Sequence, residues 1–167
     1  VWVRDAVLAE WPVLAGSRVW EAACGTGKMS RVLEAAGLSV LSTDIEPRGY
    51  GEDEPGDFLR WTSMRCGAIV TTPPYELAQA FCEHALRMME PRGGSVAMLL
   101  RTDFDHAKSR AHLFRDCPAF AKKLVLMKRI TWFVEANGKP KASPSFNHAW
   151  YRWSWGHEGP PTIAYGP

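Results

Sequence analysis

The sequence predicts an α/β fold, a mainly parallel sheet with an antiparallel hairpin at its C-terminal end. Three observations lead there. Short apolar runs alternate with stretches of helical spacing between residues 18 and 100, the mark of βαβ units whose sheet is covered on both faces. A glycine turn, C-G-T-G at 24–27, joins the first apolar run to the first helical stretch. Further on, near residue 124, the pattern changes, and two aromatic-rich runs (124–134 and 146–155) flank a polar Gly/Pro connection. Paired runs around such a connection read as a hairpin.

Residues 5–14 carry Ala6, Val7, Leu8 and Trp11 at the spacing of a short amphipathic helix, and 18–22 form the first strand. Residues 28–36 place Met29, Val32 and Leu33 on one helical face, which Gly37 stops. The run L-S-V-L-S-T-D at 38–44 alternates like a strand. A loop rich in Gly, Pro and acids follows and leads to Asp57-Phe58, where a third strand is expected to end. Residues 67–71 are strand formers, and 75–89 repeat Leu77, Phe81, Ala85 and Met88 at helical spacing. The run S-V-A-M-L-L at 95–100 is a wholly apolar strand. No internal repeat or boundary interrupts this order, so residues 1–167 read as one domain.

A hydrophobic content of 46% and a charged content of 23% are those of a soluble globular chain. No apolar run reaches the ~18 residues of a membrane span, and the first twelve residues lack a secretory pattern. The chain starts at Val1 rather than Met, so upstream residues are expected to be missing. Cys24, Cys66, Cys82 and Cys117 are scattered without a C-x-x-C pair, which predicts reduced thiols, a cytoplasmic setting and no metal centre. Charge is divided unevenly. Residues 1–90 hold 8 Lys and Arg against 13 Asp and Glu, and residues 91–167 hold 12 against 5. Clustered cations supply the sequence-independent part of nucleic-acid affinity, so the basic half reads as a face toward a polyanion. Its candidate contacts are Lys122, Lys123, Lys128, Arg129, Lys139 and Lys141.

Gly25 and Gly27 let the backbone turn tightly between strand and helix and admit a ligand against bare amides. The third glycine of a dinucleotide fingerprint is missing, because position 30 is Ser; Met29 after Gly27-Lys28 breaks a P-loop pattern. By itself the turn is equally consistent with plain architecture. Its surroundings are more specific. Asp44 ends the second strand, where a carboxylate accepts hydrogen bonds from ribose hydroxyls. Glu21 ends the first strand and suits an ammonium group, while Asp57-Phe58 offers a carboxylate and a ring. Together these outline an adenosine joined to an amino acid. The stretch A-I-V-T-T-P-P-Y at 68–75 ends a strand at two prolines, which stop a sheet ladder abruptly, and a helix follows.

E-A-A-C-G-T-G, the acid at the next strand end, D-F and then T-P-P-Y, in that order, resemble the class I S-adenosylmethionine-dependent methyltransferases. The likeness is greatest to the branch with a [DNS]-P-P-[YFW] motif, which methylates exocyclic or amide nitrogens. The small phage- and prophage-type adenine-N6 DNA methyltransferases also share the tail, represented by Gly138, Lys139, Ser143 and the run His148-Ala149-Trp150-Tyr151-Arg152-Trp153. The resemblance implies a Rossmann-like fold and S-adenosylmethionine as cofactor, held by Glu21, Ala22, Cys24, Gly25, Gly27, Asp44, Ile45, Asp57 and Phe58. It implies a catalytic corner of Thr72, Pro73, Pro74 and Tyr75, with nucleic acid as substrate, DNA ahead of RNA. An amine on an aromatic ring is a poor nucleophile because its lone pair is delocalised. Acceptors at Thr72 and the Pro73 carbonyl would pyramidalise it, held rigid by the prolines, and Tyr75 would stack on a flipped-out base. Thr72 departs from the family's Asn, Asp or Ser.

Two other readings share these residues. One puts a protein glutamine amide or an RNA guanine amine in the same corner. The other is a fold that binds cofactor or nucleic acid without turnover. His106 and His148 lack metal-ligand spacing and read as structural or phosphate-contacting. Trp132, Trp150, Trp153 and Trp155 read chiefly as core.

Overall fold

The computed structural model describes residues 17–51, 55–63, 66–130 and 146–166. These form one seven-stranded sheet and two α-helices. Strand β1 is Arg18–Glu21, helix α1 Lys28–Ala35, strand β2 Ser39–Ser42, β3 Ala68–Thr71, and helix α2 Ala78–Met89. Strands β4 (Ser95–Arg101), β5 (Phe120–Leu126), β6 (His148–Ser154) and β7 (Thr162–Gly166) complete it. The order across the sheet is β2-β1-β3-β4-β6-β5-β7. Strands β2, β1, β3 and β4 are mutually parallel. Strand β6 runs antiparallel to both β4 and β5, so the predicted hairpin forms, but its first strand is Phe120–Leu126 rather than the run 124–134.

Each central strand feeds two cores by alternation. Trp20, Ile69, Met98 and Tyr151 point to the layer under α2, with Phe81, Ala85 and Met89 opposite them. Val19, Val70, Leu99 and Trp150 point to the other layer, which Leu33 of α1 joins. Neither face of β3 or β4 is wet, which is why these strands read as unbroken apolar runs. Trp150 and Trp153 are buried, and Trp155 packs against the core. The predicted helix at 5–14, Trp132 and the connecting segment with Gly138, Lys139, Lys141 and Ser143 lie outside the described residues.

Two further features correct the sequence expectation. No strand ends at Asp57-Phe58; a short 3-10 helix, Phe58–Arg60, stands there, its first turn capped by the Asp57 carboxylate accepting from the Leu59 N–H at 3.0 Å. And the hairpin is not the edge of the sheet, because β7 pairs in parallel with β5 beyond it.

Candidate functional site

All four parallel strands end on the same edge of the sheet, at Glu21, Ser42, Thr71 and Arg101. The predicted site residues gather along it. The glycine turn leaves β1 with Gly25 and Gly27 at φ of 53° and 77°, a left-handed backbone that other residues avoid. The Gly25 amide donates to Asp44 Oδ2 at 2.7 Å, and the Glu46 amide donates to Asp44 Oδ1 at 3.0 Å. Sequence spacing therefore brings turn and acid together as predicted. Both oxygens keep an unused lone pair, so Asp44 can still accept two hydroxyl protons.

A cleft of about 320 Å³ opens beside Asp44, lined also by Glu46, Pro47, Tyr50 and Pro55. Ile45 is 64% exposed next to it, an apolar side chain bare to solvent. Space around Gly25 is open, whereas Tyr50 lies so close over Gly27 that a Cβ there would come within 2.3 Å of its ring. The Tyr50 hydroxyl donates to Glu34 Oε1 at 2.7 Å, and the Arg31 guanidinium sits 4.5 Å above its ring. Tyr50 thus straps the acidic loop to α1. The sequence reading did not single it out, because nothing in P-R-G-Y-G tells which glycine the ring will meet.

Glu21 is buried, and its Oε1 accepts from Thr71 Oγ1 at 2.5 Å and from the Ala23 amide at 3.3 Å. Desolvation pushes this carboxyl up from 4.5 to about 7, against those hydrogen bonds, with a further upward push from Asp44. Ala22 is buried directly after it. Cys24 is buried under the loop, and burial, then Asp44 and Glu21, raise its thiol to about 11. It is a packing group rather than a nucleophile. Phe58 departs from its expected place beside a ligand. Its ring is enclosed by Trp20, Phe81 and His84 at centroid distances of 5.1, 4.7 and 5.0 Å, and Asp57 is engaged as a cap.

The proline corner follows β3 directly. Pro73 is buried, and the Pro74 carbonyl accepts from the Leu77 N–H at 3.0 Å, which turns the chain into a 3-10 helix, Tyr75–Leu77, and then α2. Thr72 Oγ1 is buried with no hydrogen-bond partner among the described residues. Such an orphan is uncommon for a buried hydroxyl. Tyr75 is 45% exposed. Its hydroxyl meets Nε2 of buried His148 at 2.5 Å, and the two rings stack at 6.0 Å with 27° between planes. His148 gets there through register: it pairs with Arg101 where β6 begins and β4 ends. Burial lowers the pKa of His148, which favours the neutral ring that can accept the phenol proton. Its spacing predicts only a structural or phosphate-contacting histidine, since its partner depends on strand register.

A second cleft, of about 310 Å³, adjoins Tyr75 and is lined by Ala78, Leu100, Arg101, Asp103, Phe104 and Arg110. Of the basic candidates, Lys128 and Arg129 are exposed and Lys122 is half-buried. Lys123 is corrected: its Nζ is held by Asp105 Oδ2 at 2.7 Å and the Thr102 carbonyl at 2.9 Å, so its charge is internally matched. Among the described residues no group of three or more His, Cys, Asp or Glu converges as for a metal ion, and no helix is long and apolar enough to cross a membrane.

No protein-family model matches the sequence, and no curated protein matches it. Solved structures do match the fold. A Pyrococcus horikoshii protein assigned as an RNA methyltransferase gives a TM-score of 0.63 over 90% of this chain and 82% of its own, at 14% identity. The methyltransferase subunit of a type I restriction-modification system from Streptococcus thermophilus gives 0.63 over 93% of this chain and 43% of its own, at 11% identity. A dimethyladenosine transferase from Plasmodium falciparum gives 0.61 over 91% and 60%, at 16% identity. With seven strands ordered around an antiparallel β6, this chain has the Rossmann-like fold of the class I methyltransferases.

Proposed function

We propose that this protein is an S-adenosylmethionine-dependent N-methyltransferase whose acceptor is the exocyclic amine of a nucleic-acid base, with adenine N6 of DNA first among the candidates. The observation that carries the reading is the corner after β3, where a buried hydroxyl without a partner stands before two prolines and a half-exposed tyrosine. The residues fit the cofactor. Asp44 has lone pairs for a ribose, Ile45 an apolar surface for a ring, and the open space at Gly25 a path along bare backbone. When bound, S-adenosylmethionine supplies an electrophilic methyl group that needs alignment more than activation.

The acceptor amine is the partner that suits Thr72 Oγ1 and the Pro73 carbonyl, two acceptors that the prolines hold still. Tyr75 presents a ring face to the base, and His148 fixes that ring from behind. Nucleic acid is favoured over a protein amide by the basic second half of the chain, and by neighbours whose names concern nucleic-acid methylation. Glu21, matched already by Thr71, serves the ammonium end only as its proton leaves.

Transfer of a radiolabelled methyl group to DNA, RNA and protein extracts tests the reading. Label in DNA adenine is the expected result. Tyr75→Ala should abolish transfer while cofactor affinity stays within about twofold, and Asp44→Ala should weaken cofactor binding by about 1–3 kcal/mol. Label only in protein would move the substrate to a glutamine amide, and no label anywhere would leave a fold without turnover.

A further inference from the structure

Phe146 stands 44% exposed just before β6, with the Arg101 guanidinium 4.0 Å from its ring centroid. That guanidinium is not loose. Its Nε and Nη2 donate to Asp103 Oδ1 and Oδ2 at 3.0 and 2.6 Å, and its backbone is paired with His148 in the sheet. The Arg101 carbonyl also accepts from the Tyr151 hydroxyl at 3.1 Å. The cation is therefore fixed twice, and it fixes the aromatic ring on top of it. Arg101 also lines the cleft that adjoins Tyr75. Its floor is apolar (Ala78, Leu100, Phe104), and Arg110 borders it, its guanidinium held 4.2 Å over the Phe104 ring with Nη1 donating to the Phe104 carbonyl.

We propose that the Phe146–Arg101 stack is a second aromatic platform, which holds an unpaired nucleotide flanking the methylated base while Arg110 faces its phosphate. This rests on the nucleic-acid reading above and adds to it that the substrate is unstacked at more than one position. The physical case has three parts. Bases stack on exposed aromatic side chains whatever their sequence, and a guanidinium stack adds cation–π attraction. A ring already pinned on one face loses little freedom when the other is covered. Exposed Arg129 lies beside the stack, its Nε donating to Asn147 Oδ1 at 3.0 Å next to Phe146, and a cation there suits a polyanion.

The probe is a single-stranded oligonucleotide with 2-aminopurine placed in turn at each position around one adenine, titrated with the intact protein. The expected result is quenching at one flanking position that is lost in Phe146→Ala and in Phe146→Leu but kept in Phe146→Trp. Affinity should fall about 5- to 100-fold in the first two variants. Phe146 is half-exposed, so all three should fold, and equal melting temperatures would confirm it. Quenching and affinity within twofold of wild type in Phe146→Ala overturn the platform, as does protection of Phe146 by a peptide but by no oligonucleotide. The measurement needs no turnover. Phe146-dependent quenching without methyl transfer keeps the platform and removes the catalytic reading; methyl transfer without it does the reverse.

Discussion

Burial of the Glu21 carboxyl ties part of the protein's stability to pH. Glu21 holds its proton to about pH 7 because burial disfavours the charged form, whereas in the unfolded chain it lets go near 4.5. Between those values the folded state binds more protons, so the stability this group contributes is complete below about 4.5 and is lost as pH rises to about 7. Glu21→Gln is neutral throughout. It should flatten that part of the profile and exceed wild type above pH 7 by up to ~3 kcal/mol. Urea unfolding from pH 4 to 8 reads this directly, and identical slopes for both proteins would show that Glu21 is already ionised in the fold.

At the scale of elements, β5 shows how alternation assigns neighbouring lysines opposite work. Lys122 and Lys123 follow each other on a strand, so their side chains take opposite faces. Lys123, 13% exposed in its side chain, closes on Asp105. Lys123→Met strands that carboxylate beside Tyr151 and should cost about 2–4 kcal/mol, somewhat less than breaking a fully buried pair. Lys128→Ala should cost under ~0.5 kcal/mol. Thermal and urea melts of the two variants check the contrast, and equal stability would return Lys123 to the surface. The same elements mark what the sequence could and could not tell. Strands β1, β3 and β4 were legible because both of their faces are largely buried and their composition says so, and β2 was legible by its alternation. The glycine turn and Asp44 were legible because a short βα unit leaves them nowhere else to go. Phe58 was not, since a core aromatic looks alike on a strand end and on a 3-10 turn. Strand β7 was obscured by Ile163 and Tyr165, apolar residues that stand exposed on its outer face. His148 was legible as a structural residue, but its pairing with Tyr75 was not, because only the Arg101–His148 register joins them.

Over the whole molecule, the placement of β6 between β4 and β5 has a temporal consequence. The chain makes β5 before β6, yet the edge of β4 is reserved for β6. As the polypeptide emerges, β1 to β4 can assemble from nearby partners, whereas β5 has no neighbour to join until residue 148 arrives, and β7 none until β5 is seated. Assembly is thus bound to finish through its most distant contacts, which is the slow way to close a sheet. A chain stopped at Asn147 should keep helical signal but lose its cooperative unfolding transition and bind a hydrophobic dye, because Leu124, Leu126 and the open flank of β4 stay uncovered. A sharp melt in that truncated chain would mean that β4 and β5 can pair directly. The Tyr75 ring is held by a histidine on this last-arriving strand, so the protein cannot present an ordered corner while its own synthesis is incomplete.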